Sequence, residues 1–382
     1  MSEYNKDVFL SKIEEYDAER IKAELKRSFD ALGIDIASYK GKRVVVKPNL
    51  VMKKSPESAA TTHPAVLDAL LSIFDEHGIS PVIAESPGGV YSASRLGGVY
   101  RACGIEGVAK KHGAALNYEV SHREMAYAGG KTTKKFEVIT PIADADVIFD
   151  LCKLKSHSLT VMSGAVKNFY GVVPGIIKFE MHAAYPDVKD FSSMICDLAS
   201  FMCEKEIIAV TDAIIGMEGE GPTGGEPVKI GSLLVSKSPF SSDVVSAHIL
   251  GIDPMSVPII RESVSRGYVP GSASEISVIG DLEGAAVKSF KLSSSHKRTA
   301  LGFFSNGRMG KLFMPRPFVT SKCRGCGECA SSCPAHTISI EGGKAKIKPD
   351  ACIRCYCCQE LCPFVAIKVR RNLLINAITK IK

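Results

Sequence analysis

The chain has 382 residues, 45% apolar and 23% charged, with a net charge of +7 and 13 cysteines; that length excludes a single small module and predicts two domains, one large enough to bury a substantial core. No apolar run approaches the roughly 18 residues that span a bilayer, and Met1 to Tyr16 is polar and acidic rather than basic and then apolar, so a transmembrane segment and a secretory leader are excluded and a cytoplasmic protein is expected. Positive charge without an aromatic platform or a recognisable binding motif excludes nucleic acid, and cysteines in this compartment predict metal ligands or reduced thiols.

Residues 1–288 are expected to form an α/β domain with a mainly parallel sheet. Short apolar runs stop at polar residues: Val44 to Val46 before Lys47, Pro48 and Asn49, Val82 to Ala84 before Glu85 and Ser86, Val147 to Phe149 before Asp150. Ile207 to Val210 before Thr211 and Asp212, and Ile276 to Ile279 before Asp281, continue the series. Unbroken runs of this length suit strands covered on both faces. Helix-like segments lie between them: Pro64 to His77 with Thr62 as its cap, Val99 to His112, and Asp190 to Glu204. That alternation defines the class. In such sheets ligands bind beyond the carboxyl ends of the strands, which is where these polar residues fall.

Two stretches go beyond position. Lys153, Lys155 and His157 lead into Ser163-Gly164-Ala165-Val166-Lys167-Asn168, with Gly171, Pro174 and Gly175 beyond and His182 after them. Glycines admit backbone N–H groups close to a ligand and lysines add cationic donors, so the stretch suits a phosphate or carboxylate. It lacks the G-x4-G-K-[ST] spacing of a P-loop. Lys47, Lys155 and Lys167 are the candidates for binding an anionic group, with Asn49 and Asn168 beside them. His157 and His182 suit ligation or proton transfer as well as a structural role. Asp212 to Gly225 reads as a glycine-rich loop whose Asp212, Glu218 and Glu220 bind a cation, act as bases or form an acidic turn. The candidate catalytic set is His157, Lys167 and Asp212.

Val46 to Val51, the stretch from Lys155 and His157 to Lys167, Asn168 and Gly171, and Asp212 to Gly225 followed by Ser242-Asp243 resemble the family catalogued as domain of unknown function 362, over roughly residues 40–280. The resemblance implies the architecture and the importance of these motifs, names no substrate, and implies a C-terminal two-cluster ferredoxin module, which members often carry. Ser163-Gly164-x-x-Lys167 followed by Pro174-Gly175 is similar to the glycine-lysine-proline-glycine stretch of lactate-racemase-like proteins. Residues 289–317 read as a linker, with Ser293 to Ser295 and Phe303, Phe304 and Phe313 among basic residues.

Each half of the next segment reads C-x2-C-x2-C-x3-C-P: Cys323, Cys326, Cys329 and Cys333-Pro334, then Cys352, Cys355, Cys358 and Cys362-Pro363. Such spacing wraps a cubane, three thiolates coming from one loop and the fourth crossing to the other cluster. It predicts two [4Fe-4S] clusters, one on Cys323, Cys326, Cys329 and Cys362, the other on Cys352, Cys355, Cys358 and Cys333. A zinc ribbon has no use for the third C-x2-C step or the trailing Cys-Pro. Cys357 stands off the repeat and is read as a non-ligand. The halves repeat at a displacement of 29 residues, Cys323 to Cys352, with a hairpin around Gly342-Gly343 between them. Residues 318–370 thus resemble a bacterial-type ferredoxin domain, a small α+β unit with electron transfer as its default role. Clusters of this type favour an anaerobic or low-oxygen cell.

Residues 288–382 carry 18 Lys and Arg against 4 Asp and Glu, a basic face suited to an acidic redox partner or an anionic membrane surface or simply solvated. The tail 371–382 is basic and amphipathic, and reads as a docked helix or a partner or membrane surface. Three functions fit. The first is an oxidoreductase passing electrons between a redox partner and an anionic ligand at the strand ends. The others are a ferredoxin-like carrier without catalysis and a redox-inert ligand-binding or racemase-like protein with structural clusters. No G-x-G-x-x-G follows a strand, so a tightly bound dinucleotide has no support.

Overall fold

The computed structural model describes residues 7–296 and 315–370; the expected tail 371–382 and most of the expected linker 289–317 lie outside the described residues. The larger domain is built on a nine-stranded sheet. Its strands include β1 (Val8–Lys12), β2 (Val44–Pro48), β3 (Val82–Ile83) and β4 (Ala115–Leu116), while β5 (His122–Ala126) and β6 (Lys135–Ile139) form a hairpin apart. Next come β7 (Val147–His157), its antiparallel partner β8 (Val161–Ser163), β9 (Glu206–Glu218), β10 (Glu226–Ser236) and β11 (Val278–Ile279). The order is β11-β1-β10-β9-β7-β2-β3-β4, and the run from β9 to β4 is parallel throughout.

Alternation along the central strands feeds two apolar layers. Ile148 and Val45 join one cluster with Phe191, Leu198 and Val244 of the helices Val188–Met202 and Pro239–Ile249. Val46 and Phe149 join the other with Leu25, Phe29, Leu70 and Phe74 of the helices Ala18–Ala31 and Pro64–His77. Strands β2 and β7 are buried on both faces along their whole length, as a helix-covered parallel sheet requires.

Several expectations need correction. The cap of the helix Pro64–His77 is His63, whose Nδ1 accepts from the Ala65 N–H at 3.2 Å. Thr62 instead donates to the Leu151 carbonyl at 2.6 Å and accepts from the Asn49 N–H at 2.8 Å, tying the end of β2 to β7. The expected helix Val99 to His112 is two, Ala93–Ala102 and Ile105–His112, broken at Gly104, whose φ of 74° puts it in the left-handed region. Asp212 does not open a loop: β9 continues to Glu218 because Lys153 and Asp212 pair side by side in adjacent strands. Strands β1 and β10, antiparallel to each other, with β10 also antiparallel to β9 and β1 parallel to β11, stand where no strand was expected.

The smaller domain pairs β12 (Arg316–Val319) with β15 (Ile367–Arg370) and β13 (Ile338–Glu341) with β14 (Lys344–Ile347), all antiparallel. Its duplication is written in the backbone. Gly325 and Arg354 share a left-handed conformation at φ 66° and 60°, Gly327 and Tyr356 at 86° and 63°, His336 and Val365 at 49° each. The second half thus holds ordinary residues where the first uses glycine, at a local cost in strain. The fold is a mixed α/β domain with a mainly parallel central sheet, followed by a small ferredoxin-like domain. Among the described residues no helix is long and apolar enough to cross a membrane.

Candidate functional site

Each set of four thiols surrounds its own space. Cys323, Cys326, Cys329 and Cys362 line one small cavity, walled by Ile340, Ala345, Ala366 and Ile367. Cys333, Cys352, Cys355 and Cys358 line the other, with Cys357 alongside. Backbone N–H groups point at the sulfurs: Ala345 to Cys323 at 3.4 Å, Thr337 to Cys333 at 3.4 Å and Ala366 to Cys362 at 3.2 Å. The Ala345 donor holds the Cys323 thiol below its ordinary range. Arg354, between Cys352 and Cys355, has buried Nε and Nη1 atoms with no protein acceptor. Among the described residues no three His, Cys, Asp or Glu side chains converge closely enough to hold a single ion. Four thiols ringing a space, with spare donors nearby, fit a cubane better than one zinc.

A third cavity, of about 80 Å³, lies where the two domains meet. The ends of β2, β3 and β7 bring Asn49, Glu85, Ser86, Lys155 and His157 to it. The stretch after β8 adds Lys167 and Asn168 from the short helix Ala165–Asn168, and the helix Gly175–Ala184 adds Lys178, Phe179 and His182. Cys357, Glu360 and Leu361 of the smaller domain close the remaining side. Cys357 therefore lines both this cavity and the second thiol cavity.

The polar wall is tied together from below. Lys155 Nζ donates to Asn49 Oδ1 at 2.7 Å and to the Ala60 carbonyl at 2.5 Å; Asn49 Nδ2 donates to Asn168 Oδ1 at 2.7 Å, and Asn168 Nδ2 to Asp150 Oδ1 at 2.8 Å. The buried Asp243 carboxylate accepts from the N–H groups of Ala165 at 2.6 Å and Val166 at 3.2 Å, which aims Lys167 and Asn168. A Cβ at Gly164 or Gly171 would strike the carboxylates of Asp243 and Glu85, so a larger residue there would displace them.

Burial governs the charges. It pushes Lys155 down to about 7, with Lys167 acting in the same direction, and it pushes Lys178 down to about 7 against the pull of Glu85. The half-buried Lys167 is also lowered by burial, opposed by Glu360 and Cys357. His182, stacked on Phe191 at 4.4 Å, falls to about 3 through burial and Lys167. Burial drives His157 well below the usual histidine range, so its imidazole is neutral, and the lysines reinforce this. Burial raises Glu360, opposed by Lys167 and Lys155.

The structure brings His157, Lys167, Asn49, Lys155 and Asn168 to one cavity and leaves two candidates outside it. Lys47 is sealed in an ion pair with Glu85, Nζ to Oε2 2.7 Å, and acts behind the wall. Asp212 is buried elsewhere, accepting from Lys153 Nζ at 2.9 Å, Tyr16 Oη at 2.9 Å and the His63 N–H at 3.0 Å. Glu218 and Glu220 hold the chain at Lys291 and Ser294 through their backbone N–H groups, at 2.9 and 2.8 Å. Lys178 and Glu360 were not expected at the site. Lys178 lies in a helix the apolar pattern did not mark, and Glu360 reaches the cavity only because the domains dock.

Residues 44–248, more than half of the chain, match the family described as Domain of unknown function (DUF362). The chain belongs to the DUF362 family. Residues 318–363 of this DUF362 protein match a 4Fe-4S dicluster domain. The thylakoid-associated protein sll1697 of Synechocystis sp. is 29% identical over 282 residues, 70% of this chain and 82% of its own length. Over 52 residues, 13% of this chain, an uncharacterized ferredoxin MJ0199 of Methanocaldococcus jannaschii is 42% identical and a ferredoxin of Methanothermococcus thermolithotrophicus 40%, covering 84% and 87% of their lengths. The lactate racemase apoprotein from Thermoanaerobacterium thermosaccharolyticum overlays at 14% identity with a TM-score of 0.39, covering 66% of this chain and 59% of its own. This chain thus spans less than two thirds of that racemase. The ferredoxin-type iron–sulfur domain supports an electron-transfer role.

Proposed function

We propose that the protein passes single electrons between a redox partner protein and a small anion held in the cavity between its domains. In this reading Cys323, Cys326, Cys329 and Cys362 hold one [4Fe-4S] cluster, and Cys333, Cys352, Cys355 and Cys358 the other. When bound, such clusters supply one-electron chemistry at a potential set by their surroundings. Lys155, Lys167 and Lys178 attract the anion, Asn49, itself braced by Asn168, holds Lys155 in place, and His157 presents a polar ring nitrogen for hydrogen bonding or proton transfer. Asp212 is assigned to the framework, keeping β7 and β9 in register. The reaction class is a ferredoxin-dependent oxidoreductase, and the oxygen-sensitive cofactor suits the cytoplasm of an oxygen-poor cell.

The observation that carries this reading is the shared wall: Cys357 and Glu360 border the cavity that Lys155, Lys167 and His157 face, and Cys357 also borders the thiol set of Cys355 and Cys358. A pure carrier has no use for three lysines gathered at one cavity, since burying them costs stability. The test is anaerobic purification, with iron near eight atoms per polypeptide as its precondition, followed by reduction and rapid mixing with candidate anionic small molecules. Anion-dependent reoxidation that Lys167→Ala abolishes is expected. Reoxidation by protein partners alone would return the chain to the carrier class.

A further inference from the structure

The duplication of the smaller domain supplies an internal comparison, because its two thiol loops share a backbone and differ in what surrounds them. In the first loop Lys322, Arg324 and Cys326 are exposed. The hairpin of β13 and β14 leans on that loop: a Cβ at Gly325 would lie 2.5 Å from the Gly343 carbonyl, and Lys344 Nζ donates to the Ser321 carbonyl at 3.1 Å. Nearby acids are already engaged, Glu328 by Arg95 at 3.4 Å and Glu341 by Lys346 at 2.6 Å, whereas no ion pair among the described residues engages Lys322, Arg324 or Lys344. Ile340 and Phe364, which border the first thiol cavity, stand 38% and 42% exposed. The second half is different on every count. The displacement of 29 residues, Cys323 to Cys352, sets Ala351 and Ile353 opposite Lys322 and Arg324, and Ala335 opposite Phe364. Among the described residues, no large apolar side chain bordering the second thiol cavity is exposed. That loop is also occupied: Tyr356, where the first loop has Gly327, is buried and donates to the Pro315 carbonyl at 3.0 Å, and Cys357 faces the larger domain.

We propose that Lys322, Arg324 and Lys344, ringing the exposed Ile340, Phe364 and Cys326, form the docking face for an acidic one-electron carrier protein, and that electrons enter the chain on the thiol set of Cys326. The inference rests on the electron-transfer reading above and adds to it the partner's charge, its place of contact and the order in which the two thiol sets act. A protein interface has an apolar centre that excludes water and a polar rim that steers and orients the partner. Here the centre lies over an exposed cluster ligand, and the rim is of one sign. One electron leaves the carrier, which is oxidised, and reduces the cluster held by Cys323, Cys326, Cys329 and Cys362; no bond or proton is exchanged. The set of Cys333, Cys352, Cys355 and Cys358, which shares Cys357 with the anion cavity, comes second. An anionic lipid surface would meet the same charge, but it neither gives nor takes an electron.

A plant-type [2Fe-2S] ferredoxin of net negative charge, a low-potential one-electron carrier, serves as the probe for the full-length, anaerobically prepared, cluster-loaded protein at about 20 mM ionic strength. Surface plasmon resonance reads binding, and stopped flow reads electron transfer from the reduced probe. Arg324→Glu and Lys344→Glu are each expected to slow association about fivefold or more. Lys348→Glu makes the same charge change next to Ile347, which borders the second thiol cavity, and is expected to slow it less than about twofold. Ile340→Ala is expected to hasten dissociation about threefold or more. Lys344 and Ile340 stand on the hairpin, outside the thiol loops, so their variants carry the test even where Arg324→Glu loses iron; cluster absorbance checks each protein. Equal slowing by Lys348→Glu would overturn the face, because net charge alone would then act. Unchanged association in both Arg324→Glu and Lys344→Glu would overturn it too, as would failure of the probe to bind, with or without capture of the protein on phosphatidylserine vesicles. Each of these leaves anion-dependent reoxidation after chemical reduction standing, and only loss of that reaction removes the proposed function.

Discussion

His157 and Lys155 set the site's behaviour through opposite responses to burial. His157 is neutral and hydrogen-bonded at Nδ1, so His157→Phe removes a donor without removing charge. Anion affinity is expected to fall ten- to hundredfold, the usual worth of a hydrogen bond to a charged group, with cluster absorbance unchanged; unaltered phosphate affinity by calorimetry would contradict that role. Lys155 is charged below its lowered value of about 7 and loses its proton as the pH rises through it. Lys178 follows over the same range. Attraction for an anion is therefore present below about pH 7 and lost above it. Phosphate titrations at pH 6 and pH 8 should show affinity falling about tenfold or more, although phosphate itself gains negative charge over that interval. Affinity that rises with pH would show the lysines are not the attracting groups.

At the level of elements, the site depends on how the helix Cys357–Glu360 and the residue after it meet the larger domain. Thr223 Oγ1 donates to the Glu360 carbonyl at 2.8 Å, Arg95 pairs with Glu328 at 3.4 Å, and Leu361 packs with Phe179 and Cys357 over Gly88. Leu361→Ala removes the apolar part of this contact at a cost of about 2–5 kcal/mol. Scanning calorimetry should then separate the unfolding of the two domains, and anion-driven reoxidation should slow with the clusters intact. A single unshifted transition would mean that Leu361 does not hold the domains together. The same elements explain what was legible beforehand. Strands β2, β3, β7 and β9 begin as unbroken apolar runs, and the cysteine spacing is a local covalent pattern, so both read directly from the sequence. The polar halves of β7 and β9 do not, because Lys153 and Asp212 become tolerable in strands only through each other and through Tyr16 and His63, which are distant in the chain. Strands β1 and β10 pair antiparallel and mix polar with apolar residues. Glu360 reads as an ordinary surface acid until docking turns it toward Lys167 and Lys155.

Across the whole molecule, charge and connectivity run in one direction. Residues 288–382 hold 18 basic against 4 acidic residues, leaving the rest of the chain with 30 against 37. A negatively charged protein reductant should therefore be steered to the ferredoxin-type end, where Cys326 is exposed. Raising ionic strength from about 10 to about 200 mM shrinks the screening length severalfold, and should slow reduction about tenfold or more; a salt-independent rate in stopped flow would exclude electrostatic steering. The clusters would then stand between that face and the anion cavity.

That arrangement is tested most directly by electron–nuclear double resonance on the partly reduced protein frozen with phosphate. The account predicts a phosphorus coupling to the cluster signal that Lys167→Ala removes. Phosphate bound by calorimetry, with no phosphorus coupling to the cluster signal, would contradict it.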